Sequence, residues 1–214
     1  MEPFPPPTLV WPDGQTRWRV CVLPDRQRDR ELFDLIDKAR KVFSGFPDAL
    51  TDVPDAHLHA PAYPVPVTAR NVNQDVLATL ATELGARLGA MRPFTLTAGS
   101  ASAETGSVLL DLDGDQVGEP WDELSGRIGD AVGRMINDDA PGMVLAPPHL
   151  ALAYGAQACD SGLIQERLRA QVRPGRAPLT VDAVHLVSVT QHADDHTYTL
   201  GPLPIRIPLR ARAA

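Results

Sequence analysis

The sequence is poor in the residue types and patterns that mark several large classes of protein. Two of its 214 residues are cysteines, too few for a disulfide framework, so we expect a reducing, cytoplasmic setting. No apolar run approaches the roughly 20 residues that a membrane helix needs. The first residues include neither a basic region nor an apolar segment, so a signal peptide is not predicted.

Positive charge is also scarce. The chain has 20 Lys and Arg residues against 27 Asp and Glu residues, which gives a formal net charge of −7. Proteins that bind long nucleic acids through their phosphates are usually basic, so an extended nucleic-acid surface is not expected. A small nucleotide or an RNA end could still bind in a local pocket. No membrane partner is expected, and we expect a monomer.

Proline and glycine, by contrast, are plentiful, with 21 and 16 residues, and predict many short elements joined by turns. Short strands and hairpins are interspersed with four stretches of helical periodicity: residues 28–43, 72–90, 120–136 and 162–172. This mixed order favours an α+β fold with largely antiparallel sheets. Residues 1–15 are predicted to form a proline-rich, partly mobile arm, and residues 16–214 a single domain.

Two stretches of the chain each place a histidine in a short apolar run. Residues 57–65 contain His59, and residues 147–155 contain His149. In both, a tyrosine and a turn-forming residue follow, and a helical stretch comes next. This similarity suggests a duplicated unit whose halves face each other across a cleft. The arrangement would bring His59 and His149 together.

Two imidazoles that face one substrate can act as a general acid and a general base. One removes a proton from an attacking hydroxyl or water, and the other donates a proton to the leaving oxygen. Histidine suits both roles because its unperturbed pKa, about 6.5, lies near working pH. Phosphodiester cleavage is a reaction that uses such a pair without a metal, and no cofactor is predicted.

With these stretches, the sequence resembles the two-histidine (2H) phosphoesterase superfamily, in particular its bacterial 2′-5′ RNA ligase family. The resemblance extends over roughly residues 16–209, and the second histidine segment is its most specific part. The segments that carry it are Leu58-His59-Ala60-Pro61-Ala62, Arg92-Pro93-Phe94-Thr95-Leu96, residues 108–112, Pro148-His149-Leu150-Ala151-Leu152-Ala153-Tyr154-Gly155 and Ala183-Val184-His185-Leu186-Val187-Ser188.

The resemblance implies a bilobal, pseudo-symmetric fold of mainly antiparallel sheets, with helices outside and a central cleft. Each lobe would contribute one histidine strand, and His59 and His149 would be the catalytic acid–base pair. His57 fits the first position less well. The implied activity is metal-independent phosphoesterase chemistry on a small cyclic phosphate or an RNA end, such as a 2′,3′-cyclic phosphate or a 2′-5′ linkage.

The sequence departs from the family pattern two residues after each histidine, where the family has Thr or Ser. Pro61 and Ala151 stand there, and neither side chain can donate a hydrogen bond to a phosphate. A hydrogen bond to a charged group contributes about 1.5–3 kcal/mol. Losing two would lower the rate by roughly two to four orders of magnitude. The alternative is therefore a catalytically weakened protein that binds a nucleotide or an RNA end.

Other groups could replace the missing hydroxyls. Tyr63 and Tyr154 are candidate substrate-binding residues, as donors or as stacking platforms, beside Ala151; the alternative is that both tyrosines pack in the core. Residues 192–196 contain two histidines and two aspartates that could in principle hold a metal, but a solvated hairpin turn is the simpler interpretation. We therefore predict no metal.

Overall fold

The computed structural model describes residues 1–6, 10–11, 15–68, 74–112, 120–136 and 147–210. These residues form ten strands and four α-helices. The strands are β1 (Thr16–Val22), β2 (Leu50–Asp52), β3 (Ala60–Thr68), β4 (Phe94–Ala103), β5 (Ser107–Leu112), β6 (His149–Gly155), β7 (Ala177–Val181), β8 (Ala183–His192), β9 (Thr197–Leu200) and β10 (Ile205–Pro208). The helices are α1 (Arg30–Phe43), α2 (Gln74–Leu88), α3 (Pro120–Ile136) and α4 (Ser161–Gln171).

The strands form two antiparallel sheets. The first sheet has the order β10-β8-β1-β3, and β9 pairs with the other end of β8. The second sheet has the order β2-β6-β5-β4-β7. Every pairing in both sheets is antiparallel, which confirms the α+β fold.

Each sheet has its own pair of helices. Helices α2 and α3 pack on each other and on the first sheet, and α1 and α4 pack on each other and on the second. Helix α1 shows why: its apolar residues recur at helical spacing and all lie on the buried side, while its charges face outward. The two sheets with their helices are the first and second lobes, and the predicted bilobal fold is confirmed. One continuous hydrophobic core joins them.

A buried carboxylate ties the start of α1 to strand β7. The Asp29 side chain is almost fully buried, accepts hydrogen bonds from the backbone N–H of Thr180 (3.0 Å) and of Asp25 (2.9 Å), and pairs with the Arg28 guanidinium (2.8 Å). A buried charge is tolerated when its hydrogen bonds are satisfied in this way. Asp29 therefore stabilises the second lobe.

The structure differs from the sequence-based prediction at a few boundaries. The first histidine strand begins at Ala60, because Asp55–His57 form a 3₁₀ turn, so His59 precedes the strand. Strand β7 was not predicted, and the last predicted strand is divided into β9 and β10. None of the described helices has the length and apolar character needed to cross a bilayer.

Candidate active site

A cleft of about 190 Å³ contains both predicted catalytic histidines. His59 directly precedes β3 of the first sheet, and His149 is the first residue of β6 in the second sheet. Each lobe therefore contributes one imidazole, as the duplicated pattern predicted. The described residues that line the cleft are Phe4, Arg19, His59, Pro61, Ser107, Leu109, His149, Ala151, Tyr154 and Tyr198.

The two imidazoles are held by the same local hydrogen bond. The Nδ1 atom of His59 lies 2.8 Å from the carbonyl oxygen of His57, and the Nδ1 atom of His149 lies 2.7 Å from the carbonyl oxygen of Pro147. A carbonyl oxygen can only accept, so Nδ1 carries the proton in both rings. Nε2 is then the nitrogen left for a ligand, and in a neutral ring it is a proton acceptor.

The surroundings of the two rings differ. His59 is 6% exposed, and burial lowers its pKa to about 4. The positive charges of Arg19 and of a protonated His149 would act in the same direction, whereas the bond to the His57 carbonyl opposes the shift. His59 is therefore neutral near pH 7, with Nε2 free to accept a proton. His149 is partly exposed to solvent.

The positions two residues after each histidine do line the cleft. Pro61 and Ala151 stand there, one on each side, so the cleft lacks both hydroxyls that the family pattern would supply. Of the described lining residues, Ser107 alone is a serine or threonine, and it lies opposite Tyr154 in the pairing of β5 with β6. Ser107 can therefore donate one hydrogen bond from the second lobe.

Arg19 brings a permanent positive charge to the cleft. It lies on β1, and none of the described lining residues is acidic. Within the described part of the chain, no carboxylate forms an ion pair with Arg19. Most of the described ion pairs instead involve other arginines, which lie on the surface. Its guanidinium carbon lies 5.4 Å from the centre of the Trp11 ring and 5.8 Å from that of Tyr198. A cation with no acidic partner among the described residues, in the same cleft as two imidazoles, has the chemistry to bind an anion.

Both histidine strands contain a β-bulge three residues after the histidine. The extra residue is Ala62 in the pairing of β3 with β1, and Leu152 in the pairing of β6 with β5. A bulge reverses the alternation of side chains between the two faces of a strand. The shared position of the bulges is further support for a duplicated unit.

The bulges decide which tyrosine reaches the cleft. Tyr63 is four residues after His59, so the bulge turns it away; its ring packs against Gly129 of α3, where an added Cβ would lie 3.0 Å from the ring. Tyr154 is five residues after His149, and the bulge turns it into the cleft. The structure thus does not bring Tyr63 to the site, and its predicted role in substrate binding is not retained.

Tyr154 forms part of an aromatic cluster at one end of the cleft. Its ring stacks on Phe4, with centroids 4.4 Å apart, and meets Tyr198 edge-on at 5.6 Å. Burial raises the pKa of Tyr154, so its hydroxyl stays protonated. Sequence reasoning did not identify Phe4, Arg19 or Tyr198, because each comes from a segment far from the histidine motifs.

The other histidines lie outside this cleft. His57 accepts a hydrogen bond from the Leu200 N–H at Nδ1 (3.1 Å) and lines a different, mostly apolar cavity of about 330 Å³. His192 and His196 flank the turn between β8 and β9, and no cluster of three potential metal ligands occurs in the described residues. The Cys21 thiol is fully buried, which raises its pKa to about 12 and makes it inert.

Several solved structures share this fold. TT0787 of Thermus thermophilus aligns with a TM-score of 0.66 and 17% sequence identity, over 92% of this chain and 100% of its own. LigT of E. coli in its apo form gives a TM-score of 0.58 and 15% identity, over 92% of this chain and 98% of its own. A structure described as a phosphoesterase gives a TM-score of 0.54 and 14% identity, over 90% of this chain and 99% of its own. LigT has also been solved with ATP, 3′-AMP and phosphate.

These similarities confirm the fold that the sequence resemblance implied. At such low identity they establish shared architecture alone, and the roles of individual residues depend on the geometry of this chain. Neither a protein-family model nor a curated protein matches the sequence.

Proposed function

We propose that the protein is a metal-independent phosphoesterase of the two-histidine class that acts on a small cyclic phosphate or an RNA end. The observation that carries this proposal is the pair of imidazoles, one from each lobe, that share a cleft and the same Nδ1 hydrogen bond. The fold of LigT, which binds 3′-AMP and phosphate, supports the same class of ligand.

Burial divides the work between the two rings. His59 is neutral near pH 7 and accepts a proton at Nε2 from the attacking water, whose oxygen forms the new bond to phosphorus. His149 is partly exposed to solvent, and its Nε2–H donates the proton to the leaving ester oxygen as the P–O bond breaks. One imidazole gains a proton and the other loses one, which solvent then restores.

Arg19 and Ser107 would hold the phosphoryl oxygens in place of the missing hydroxyls. The Arg19 guanidinium offers planar, paired donors that match a phosphate, and its interaction strengthens as the transition state gathers negative charge. Ser107 adds a neutral donor from the opposite lobe. The proposed site therefore receives a cation from the first lobe and a hydroxyl from the second.

The test is turnover of 2′,3′-cyclic nucleotides and 2′-5′-linked oligonucleotides by the purified protein in the presence of a chelator. His59→Ala and His149→Ala should each lower the rate by roughly 100- to 10,000-fold. His57→Ala is the matched control: it removes an imidazole outside the cleft but keeps the carbonyl that bonds to His59. Turnover that survives both substitutions would rule out the mechanism.

The division between base and acid has its own test. In a phosphodiester with an aryl leaving group, that group can depart without being protonated. Such a substrate should therefore restore much of the rate that His149→Ala loses. The same substrate should not rescue His59→Ala, because attack by water still requires a base. Equal rescue of both variants would show that the two roles are not divided in this way.

A second candidate function, from a different class, is binding of a nucleotide or an RNA end with little catalysis. It is favoured by the two cleft positions that lack hydroxyls, Pro61 and Ala151. In that case the protein binds ligand measurably by calorimetry, and Ala151→Thr together with Pro61→Thr raises turnover sharply. Failure to bind any cyclic nucleotide or RNA end would count against this function.

A further inference from the structure

The N-terminal segment, residues 1–6, contacts both lobes and contributes Phe4 to the lining of the cleft. On the second lobe, the Phe4 N–H donates to the carbonyl oxygen of Gly155 at 2.8 Å, and the Glu2 N–H to that of Thr105 at 2.5 Å. On the first lobe, the Nδ1–H of His196 donates to the carbonyl oxygen of Phe4 at 2.6 Å. The segment is thus bonded to both lobes at Phe4.

The Phe4 ring fills the aromatic end of the cleft. It stacks on Tyr154 with an interplanar angle of 21° and lies edge-on to Tyr198, with centroids 5.3 Å apart. The same three rings line the cleft with the two histidines. A nucleobase binds proteins by stacking on such aromatic faces. The face of Tyr154 that a base would use is therefore covered by a side chain of the protein itself.

The space that remains is small. The cleft has a volume of about 190 Å³, whereas pockets that bind drug-sized ligands have volumes of roughly 300–1,000 Å³. This volume suits a ligand about the size of a phosphate with part of a sugar, and an attached base that stacked on Tyr154 would need the place that Phe4 occupies.

We propose that Phe4 is a specificity-determining residue: the N-terminal segment covers the base-binding end of the cleft and favours small phosphate ligands over whole nucleotides. This inference rests on the proposed function for the identity of the ligand, but not on catalysis. A nucleotide binds in full only when its base displaces Phe4 from Tyr154. Affinity for phosphate alone does not depend on that displacement.

Two substitutions open this end of the cleft by independent routes. Phe4→Ala removes the ring. Gly155→Ala displaces the segment itself, because a Cβ at that position would collide with the carbonyl oxygen of Glu2. Glu2→Ala is the matched control, since it alters an exposed side chain of the same segment and keeps the backbone bond to Thr105.

The measurement is isothermal calorimetry of the full chain with inorganic phosphate and, separately, with adenosine 3′-monophosphate. The stacking interaction of one aromatic pair corresponds to a roughly two- to tenfold change in affinity. We therefore expect Phe4→Ala and Gly155→Ala to bind the nucleotide two- to tenfold more tightly, with phosphate affinity unchanged. Glu2→Ala should match the natural protein for both ligands. Thermal melting of each variant checks that it is folded.

Three results would overturn the inference. Weaker nucleotide binding by Phe4→Ala would mean that the ring supports a bound base, and unchanged binding would mean that it has no role. Failure of the nucleotide to bind even the opened variants would exclude a base site here. The proposed catalytic function fails separately, when turnover does not depend on His59 and His149, so the two failures can be told apart.

Discussion

Replacement of Arg19 by alanine tests the phosphate-binding assignment most directly. The guanidinium lines the cleft without an acidic partner among the described residues, so its loss removes the proposed binding group and breaks no ion pair there. A hydrogen bond between charged groups contributes about 1.5–3 kcal/mol. At about 1.4 kcal/mol for each tenfold change, inorganic phosphate should bind Arg19→Ala roughly 10- to 100-fold more weakly.

Arg17→Ala provides a closely matched control. Arg17 lies on the same strand, and its guanidinium carbon is 4.4 Å from the centre of the Trp11 ring, yet it is not among the described residues that line the cleft. Its loss removes the same charge and a similar aromatic contact. Arg19→Lys should give an intermediate affinity, because an ammonium keeps the charge but not the planar pair of donors.

The assay is calorimetric titration with phosphate at two salt concentrations, because a general field effect would be screened more strongly than a direct contact. A readout without ligand is the pKa of His59 by NMR, which should rise in Arg19→Ala because the Arg19 charge helps to keep it low. Equal losses of affinity in Arg17→Ala and Arg19→Ala, or no loss in Arg19→Ala, would refute the assignment.

Three further outcomes are expected. The folded-state pKa of His59, about 4, lies below its unfolded value, so the native state binds fewer protons than the unfolded state between about pH 4 and 6.5. The free energy of unfolding should therefore fall as the pH falls through this window. Urea titration should show a fall about 2–3 kcal/mol larger than in His59→Asn. Asp29→Ala should lower the free energy of unfolding by about 2–4 kcal/mol in the same assay, since three donors lose their acceptor, whereas exposed Asp34→Ala should change it little. Tyr63→Phe should leave phosphate affinity unchanged in calorimetry, because Tyr63 packs against α3. A clear loss of affinity would instead show that the Tyr63 hydroxyl takes part in phosphate binding.

The sequence was sufficient for the parts of the site that are local. Each histidine lies in a short apolar run after a turn, and the main-chain carbonyl that orients it is only two residues away. Such geometry is encoded within a few residues, so the pairing of His59 with His149 could be predicted from their shared pattern. The apolar periodicity of α1 likewise specified that helix within two residues of its observed start.

The bulges were not predictable in this way. Tyr63 and Tyr154 occupy similar places in two similar stretches, but one follows its histidine by four residues and the other by five. Strict alternation would have turned Tyr63 toward the cleft and Tyr154 away from it. The extra residue in each strand reverses both orientations. A bulge depends on how a strand pairs with its neighbour, which the strand's own sequence does not show.

Arg19 and Phe4 are hidden from sequence reasoning for a related reason. Arg19 looks like one of several polar residues on an alternating strand, and Phe4 like part of a proline-rich segment. Their importance arises from what the fold places around them: an aromatic cluster and two imidazoles, one of which lies more than a hundred residues away along the chain. The net charge of −7 did not indicate a cation in the cleft either, because it describes the protein as a whole and not one cleft.

Under the proposed function, the duplicated geometry and the unequal burial together account for the direction of the reaction. Local hydrogen bonds occupy Nδ1 of both His59 and His149 and leave Nε2 as the nitrogen available to a ligand. His59 is 6% exposed, and its burial lowers the pKa to about 4 and keeps the ring neutral near pH 7, whereas His149 is partly exposed to solvent. In the proposed reaction the two lobes supply the pair, with buried His59 as the ring that accepts the proton and solvent-accessible His149 as the ring that donates one.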